Sequence, residues 1–252
     1  MTLRTHLGGS LFAEHLTGRP PTVLAMHGWG RNRSDLLGAL EGREVISLDL
    51  PGFGASPVPP DPWGATRYAD LVAEMLREQD TGPVLVLGHS FGGRVAVHLA
   101  ADHPDLVSGA VLVGTPLWRS TSPSKGPLAY RVVRRLRRMR LVPEPVLDSM
   151  RRRHGSADYR TASGVMRDVL VTVVNEDYRE QLAAITCPIG FCWGADDTAA
   201  PAALATEAAG IVANCVTLDV VDGAGHDVHR SHPHRLTAVI DEVAAATGDG
   251  SS

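Results

Sequence analysis

The 252-residue sequence has few cysteines, one lysine (Lys125) and no long apolar run. The three cysteines, Cys187, Cys192 and Cys215, are too few and too odd in number for a disulfide framework, and they are typical of buried thiols in a reducing compartment. Because no apolar stretch is long enough for a signal peptide or a membrane span, the sequence predicts a cytoplasmic protein. The 24 basic residues do not exceed the 28 acidic ones, which argues against a general nucleic-acid binder.

The composition is otherwise that of a globular protein, with 44% hydrophobic and 21% charged residues. This balance excludes an intrinsically disordered chain and a coiled-coil or collagen-like rod. A chain of this length buries roughly 70–75% of its unfolded surface. It is therefore long enough for one large domain, or for a domain with an insertion.

Short apolar runs alternate with helix-length amphipathic stretches along most of the chain. The alternation is typical of an α/β fold, in which helices cover both faces of a mostly parallel β-sheet. Residues 3–7 and 10–15 flank a pair of glycines and predict a hairpin. Further strands are predicted at 22–26, 44–49, 83–88, 109–114, 188–193 and 215–221, and helices at 34–40, 66–79, 91–102, 201–210 and 233–246.

Residues 115–185, here called the insertion, break this alternation. They have no strong strand pattern, and their 13 arginines and Lys125 against seven acidic residues leave a net charge of +7. We therefore predict a core made of residues 1–114 and 186–252, with a helical cap inserted at 115–185.

One stretch of the insertion has apolar residues at helical spacing and a basic opposite face that includes Arg134, Arg135 and Arg138. Three interpretations of this face stay open. The first is a solvated face balanced by the acidic core. The second is a binding site for an anionic substrate or an acidic carrier protein, and the third is a contact with anionic lipid. The second interpretation makes these three arginines candidate substrate-binding residues.

The strongest motif is Gly88-His89-Ser90-Phe91-Gly92. A G-x-S-x-G pattern is weak by itself, but this one lies between a predicted strand and a predicted helix. Small residues there allow a sharp turn that pushes the serine hydroxyl outward, and the helix N-terminus favours developing negative charge. The motif therefore indicates a nucleophilic Ser90, with a plain glycine-rich turn as the alternative.

These features resemble the α/β-hydrolase fold family, and the resemblance covers most of residues 22–233 outside the insertion. Residues 49–56 match the family's D-x-x-G-x-G-x-S loop, which we interpret as a feature of the fold rather than of catalysis. The body motifs are also similar to those of acyl-carrier-protein methyl ester esterases.

The resemblance identifies an oxyanion loop in His27-Gly28-Trp29-Gly30, which matches the family's H-G-x-G pattern. It implies that the backbone N–H groups of Trp29 and Phe91 hold the oxyanion of a tetrahedral intermediate. His27, together with His89 of the serine motif, is a candidate substrate-binding residue.

The same resemblance supplies a catalytic acid. The family pattern G-x-x-D-x-x-x-P fits Gly194, Asp197 and Pro201 and assigns the role to Asp197, with the neighbouring Asp196 as the rival.

The base is assigned to His226, which matches the family's Gly-His position after the last strand. His229, His232 and His234 are alternatives, although their spacing better suits a loop and the start of a helix. These histidines could also suggest a metal site, but histidines in a loop beside a triad explain them more simply.

The resemblance implies a serine hydrolase that cleaves a carboxylic ester or thioester through an acyl intermediate on Ser90. Two alternatives stay open: hydrolysis of a C–C or amide bond by the same triad, and a non-catalytic binding module on a hydrolase scaffold. The expected partner is a small acyl ester or thioester substrate. Whether it is neutral, anionic or bound to a carrier protein stays open with the interpretations of the basic face. Because metal-ligand and phosphate-loop motifs are missing from the sequence, we expect neither a metal nor a cofactor.

Overall fold

Eight strands form one sheet in the computed structural model, which describes residues 2–119 and 157–248. They are β1 (Thr2–His6), β2 (Leu11–Leu16), β3 (Arg19–Met26), β4 (Arg43–Asp49), β5 (Val84–His89), β6 (Val107–Val113), β7 (Ile189–Gly194) and β8 (Cys215–Val221). Their spatial order is β1-β2-β4-β3-β5-β6-β7-β8. Strand β2 is antiparallel to both β1 and β4, and the pairs from β4-β3 to β7-β8 are parallel. The predicted hairpin and parallel sheet are confirmed.

The described part of the chain holds eight α-helices. They are α1 (Ala65–Gln79), α2 (Phe91–Asp102), α3 (Ala157–Thr161), α4 (Gly164–Val173), α5 (Arg179–Ala184), α6 (Ala203–Ala209), α7 (Val228–Ser231) and α8 (Pro233–Ala246). None of these helices combines the length and the apolar character needed to cross a membrane.

Strand β5 explains why the central strands are continuous apolar runs. Val84 and Val86 pack into the same core cluster as side chains of α1 and α2. Leu85 and Leu87 point to the other face and pack with side chains of α8. A strand covered on both faces needs an apolar residue at every position, so its sequence lacks the alternation of a half-exposed strand. The predicted fold, with helices on both faces of the sheet, is confirmed.

The parallel arrangement brings the sequence motifs together. Strands β3, β5, β7 and β8 run in the same direction, so the loops at their carboxyl ends meet at one edge of the sheet. These four loops contain the H-G-W-G segment, Ser90, Asp197 and His226 respectively.

The predicted helix at 34–40 is wrong, because the segment contains only a short 3₁₀ turn at Leu37–Ala39. The side chain of Asn32 accepts a hydrogen bond from the backbone N–H of Ser34 (3.0 Å), a local turn that competes with helix formation. Gly38 in the middle of the segment further lowers its helix propensity.

The described part of the insertion is helical and packs on the core. Val169 and Val173 of α4 belong to the main core cluster, and Leu170 packs beside Trp29 of the oxyanion loop. The buried guanidinium of Arg94 on α2 donates to the carbonyl oxygen of Val173, which ties α4 to the helix that follows Ser90. The basic stretch with the three candidate arginines lies outside the described residues.

Candidate active site

Ser90 occupies the sharp turn between β5 and α2. Its φ of 50° and ψ of −107° are unusual for a residue other than glycine, and such backbone costs about 1–3 kcal/mol. The turn is possible because its neighbours lack side chains. A Cβ at Gly88 would lie 2.5 Å from the carbonyl oxygen of Gly92, and one at Gly92 would lie 2.1 Å from that of Met26. Strained backbone of this kind is concentrated at functional sites.

His226 lies between Ser90 and Asp197. Its Nε2 is 3.0 Å from the hydroxyl oxygen of Ser90, and its Nδ1 is 2.8 Å from Oδ2 of Asp197. Loops that are 136 and 29 residues apart in the sequence therefore bring the three predicted side chains together. The carboxylate is buried, whereas the imidazole is partly exposed and open to a substrate.

The structure separates Asp197 from its rival Asp196. Asp196 is exposed at the surface, whereas Oδ1 of Asp197 accepts hydrogen bonds from the backbone N–H groups of Ala199 and Ala200, both at 2.8 Å. These two bonds fix the carboxylate so that its second oxygen faces His226.

The other histidines of this loop do not contact Ser90. His234 is exposed, and Nδ1 of His232 lies 2.9 Å from the hydroxyl of its neighbour Ser231. His229 is buried, and its Nε2 lies 3.3 Å from a carboxylate oxygen of Asp35.

The oxyanion loop lies directly against Ser90. A Cβ placed on Gly28 would be 3.5 Å from the Cβ of Ser90, so the next backbone N–H, that of Trp29, is close to the serine. Phe91 is the first residue of α2, where backbone N–H groups have no partner within the helix. Within residues 2–119 and 157–248, neither N–H has a hydrogen-bond acceptor. Within the described residues, both N–H groups are therefore available as donors.

His27 and His89, the two candidate substrate-binding histidines, are each only 1% exposed. Nδ1 of His27 donates to the carbonyl oxygen of Gly28 (2.7 Å), and its Nε2 accepts from the N–H of Leu50 (3.1 Å). The ring therefore fixes the oxyanion loop. His89 lies behind His226, with Nε2 3.2 Å from the carbonyl oxygen of that residue.

An aromatic wall flanks the oxyanion loop. Trp29 makes edge-to-face contacts with Phe53 and Phe91, with ring centroids 5.0 and 5.3 Å apart. Trp29 and Phe53 are only partly buried, so they offer an apolar surface next to the serine. Such a surface suits an acyl chain.

Two charged residues near the site were not identified from the sequence. Asp35 lies in the segment predicted as a helix, and nothing in the local pattern marks it. Asp158 of α3 is close enough to His226 and Arg31 for their charges to act on it: burial raises its pKa, and these two charges oppose the rise. Its position depends on how the insertion packs, which the sequence pattern does not give.

One group of side chains could hold a metal ion. Among the described residues, ligand atoms of Asp35, His89 and His229 lie within 4.8 Å of one another. The same residues also contact each other and the backbone directly, with nitrogen–oxygen distances of 3.2–3.5 Å.

The arrangement has the parts needed for nucleophilic catalysis. A hydroxyl is adjacent to an imidazole, and the imidazole is oriented by a buried carboxylate. The N–H groups of Trp29 and Phe91, which have no acceptor among the described residues, belong to the two segments next to the serine. Such a set can transfer an acyl group from a substrate to the serine and then to water.

A family model described as "Alpha/beta hydrolase family" matches residues 23–239. Among curated proteins, a pimeloyl-[acyl-carrier protein] methyl ester esterase of Chromobacterium violaceum is 41% identical over 111 residues, which is 42% of this chain and 41% of that protein. Lipase LipV of Mycobacterium tuberculosis is 42% identical over 97 residues, 37% of each protein. The chain thus spans about two fifths of the length of the curated relatives it matches.

Solved structures match over nearly the whole chain. A hydrolase from Pseudomonas aeruginosa superposes with a TM-score of 0.71 at 22% identity, over 97% of this chain and 98% of that one. A thermophilic esterase from Thermogutta terrifontis gives a TM-score of 0.69 at 25% identity, over 98% of both chains.

Proposed function

This chain belongs to the alpha/beta hydrolase family, and from that we propose that it hydrolyses a carboxylic ester or thioester through an acyl intermediate on Ser90. The observation that carries the proposal is the position of His226, 3.0 Å from the Ser90 hydroxyl and 2.8 Å from the Asp197 carboxylate. The esterase and lipase names of its relatives favour ester bonds over other acyl bonds.

In the first step Nε2 of His226 takes the proton of Ser90 as the serine oxygen attacks the acyl carbon. The carbonyl π electrons move to its oxygen, and the N–H groups of Trp29 and Phe91 stabilise the resulting oxyanion. Each donor of this kind contributes about 10²–10³ in rate. The intermediate then collapses and expels the alcohol or thiol, which receives its proton from His226.

In the second step a water molecule gives a proton to His226 and attacks the acyl-serine. The same oxyanion site is used again, and collapse returns the proton to Ser90 and releases the acid. Throughout, Asp197 keeps Nδ1 of His226 protonated and stabilises the imidazolium that forms twice in the cycle.

The insertion is proposed to act as a cap over a core of residues 1–114 and 186–252. Supporting this, the cluster of Tyr159, Ala162 and Leu170 in the insertion packs against Trp29. Asp158 is also close enough to His226 for their charges to interact. The apolar surface of Trp29 and Phe53 would receive the acyl chain. Because the carboxylate of Asp158 disfavours a second negative charge near His226, an anionic or carrier-bound part of the substrate would bind away from Asp158. Arg134, Arg135 and Arg138 of the insertion stay the candidates for binding it.

The test is hydrolysis of p-nitrophenyl esters from acetate to laurate by the wild type and by Ser90→Ala. A fluorophosphonate probe with mass spectrometry checks independently whether Ser90 is the residue modified. We expect turnover and labelling in the wild type and neither in the variant. Equal hydrolysis in both proteins, or a wild type that neither turns over esters nor reacts with the probe, would overturn the proposal. Labelling at Ser90 with no ester turnover would overturn the ester assignment and favour amide or C–C cleavage.

A further inference from the structure

A buried carboxylate behind the triad contacts two buried imidazoles. Oδ1 of Asp35 is 3.3 Å from Nε2 of His229, and Oδ2 of Asp35 is 3.4 Å from Nδ1 of His89. All three side chains are at most 3% exposed. Among the described residues, the Ser90 hydroxyl is hydrogen-bonded to His226 and to none of these three. The proposed triad mechanism therefore does not use them.

These three residues come from three of the four loops that form the candidate active site. Asp35 follows the oxyanion loop and also accepts a long hydrogen bond from the N–H of Gly28 (3.5 Å). His89 immediately precedes Ser90 in the chain, and His229 lies three residues after His226. One carboxylate therefore joins the oxyanion loop, the nucleophile turn and the loop of the base.

The carboxylate is suited to this role because it stays charged. Burial by itself raises the pKa of Asp35, but the interactions with the nearby rings of His229 and His89 outweigh that effect, and the pKa lies well below its usual range. Arg31 adds a positive charge 3.8 Å away, and it is held in place by Asp227 at 2.7 Å. A buried charge that lacks such partners would be strongly destabilising.

His89 connects this carboxylate to the catalytic base itself. Its ring lies between those of His226 and His229, with centroids 5.0 and 4.1 Å apart respectively. Its Nε2 is 3.2 Å from the carbonyl oxygen of His226. Burial lowers the pKa of His89 to about 4, so the ring carries one proton at neutral pH. The flat, neutral ring fills the space behind His226 and limits its movement away from Ser90.

We propose that Asp35, through His229 and His89, fixes the loop that carries His226 and so holds the base within reach of Ser90. The three are positioning residues, and the inference rests on the proposed function. Their effect is on geometry: a displacement of about 1 Å in a catalytic group can cost on the order of 10²-fold in rate.

The first test compares Asp35→Asn with Asp222→Asn, which changes an exposed carboxylate in the loop that carries His226. Both variants remove one negative charge. Only the first replaces one of the two carboxylate oxygens that contact His229 and His89 by an NH2 group, which cannot accept a hydrogen bond. We expect Asp35→Asn to lower kcat on a p-nitrophenyl ester about 10- to 100-fold, with KM changed less than about twofold because Asp35 is buried. Asp222→Asn should give less than about a threefold effect, because an exposed charge contributes little.

The second test separates positioning from general packing. Gln at position 229 can donate from nearly the same place as Nε2 of His229, whereas Leu has similar bulk and no donor. We expect His229→Leu to lose activity as Asp35→Asn does, and His229→Gln to recover most of it. Circular dichroism and the melting temperature of each variant show whether it is folded.

The rate of Ser90 labelling by the fluorophosphonate distinguishes the possible failures. A wild type that does not react defeats the proposed function. If the wild type and a folded Asp35→Asn react with the fluorophosphonate at the same rate, only the positioning role is overturned. Equal ester hydrolysis by His229→Gln and His229→Leu overturns it as well. Elemental analysis of the purified proteins tests for a metal. If the wild type holds one equivalent of a divalent metal and His229→Leu holds none, the three residues form a metal centre and the positioning role is overturned.

Discussion

Oδ2 of Asp197 lies 2.8 Å from Nδ1 of His226, and the carboxylate that makes this contact is fully buried. Its other oxygen is occupied by two backbone N–H groups, so the side chain has a single orientation. The imidazole is thereby held with its Nε2 toward Ser90. In the proposed mechanism this carboxylate controls the tautomer and the orientation of His226.

We expect Asp197→Asn to reduce kcat about 10³- to 10⁴-fold while the protein stays folded. The amide is the same size, but it can donate to Nδ1 and so favour the wrong tautomer of His226. The matched control is Asp196→Asn, which changes the adjacent, exposed carboxylate. Steady-state ester hydrolysis measures both variants. If Asp196→Asn lost most of its kcat and Asp197→Asn stayed active, the catalytic acid would be Asp196.

The turn at Ser90 should not tolerate a methyl group at Gly92. A Cβ there would lie 2.1 Å from the carbonyl oxygen of Met26, and a backbone atom of a central strand cannot move aside cheaply. We expect Gly92→Ala to lower the free energy of unfolding by about 3 kcal/mol. Gly38→Ala is the control, because the new Cβ meets nothing within 4 Å. We expect its free energy of unfolding to change by no more than about 0.5 kcal/mol. Urea unfolding of the two variants makes the comparison, and equal stabilities would contradict the steric argument.

The hairpin should make the protein less stable in mild acid. Nε2 of His6 and Nε2 of His15 lie 3.2 Å apart, a contact that two imidazolium ions cannot make. Burial, together with the charges of Arg4 and His6, lowers the pKa of His15 to about 4, and burial also lowers that of His6. An unfolded histidine titrates near 6.5, so between about pH 6.5 and 4 the unfolded chain binds more protons than the folded one. Stability contributed by these groups is therefore complete above pH 6.5 and decreases as the pH falls toward 4.

The variant His15→Gln tests this by removing the pair. We expect its melting temperature to fall less than that of the wild type between pH 7 and pH 4.5. His234→Gln removes an exposed imidazole far from the hairpin and should follow the wild type. If the melting temperature of His15→Gln falls between pH 7 and pH 4.5 as much as that of the wild type, the acid sensitivity arises elsewhere.

The basic stretch of the insertion, which lies outside the described residues, gives a prediction about substrates. If Arg134, Arg135 and Arg138 guide an anionic or carrier-bound acyl group, changing all three to Glu should lower kcat/KM for such a substrate on the order of tenfold at low salt. The difference should shrink at high salt, where charges are screened. A neutral p-nitrophenyl ester is the control and should be hydrolysed equally by both proteins. Equal rates on both substrates would leave the arginines as a solvated face.

The sequence by itself determined the strands, most of the helices and the turn at Ser90, whereas Asp197 and His226 followed from the resemblance to a known family. A short apolar run such as 84–87, next to turn residues, favours a strand covered on both faces. A glycine-flanked serine between such a strand and a helix defines a sharp turn. These are local properties, fixed by periodicity and by backbone sterics, so they can be predicted from neighbouring residues alone.

Only the tertiary structure decided what the remaining polar residues do. Asp196 and Asp197 are adjacent in sequence, yet burial and the N–H groups of residues 199 and 200 select one of them. The packing of the loops buries His27 against the oxyanion loop and His89 against His226, and no local pattern gives either contact. Asp35 lies 194 residues from His229 in the chain, and they meet only because parallel strands bring their loops to one edge of the sheet. Contacts between distant segments have no local pattern, since they depend on how the whole chain is packed.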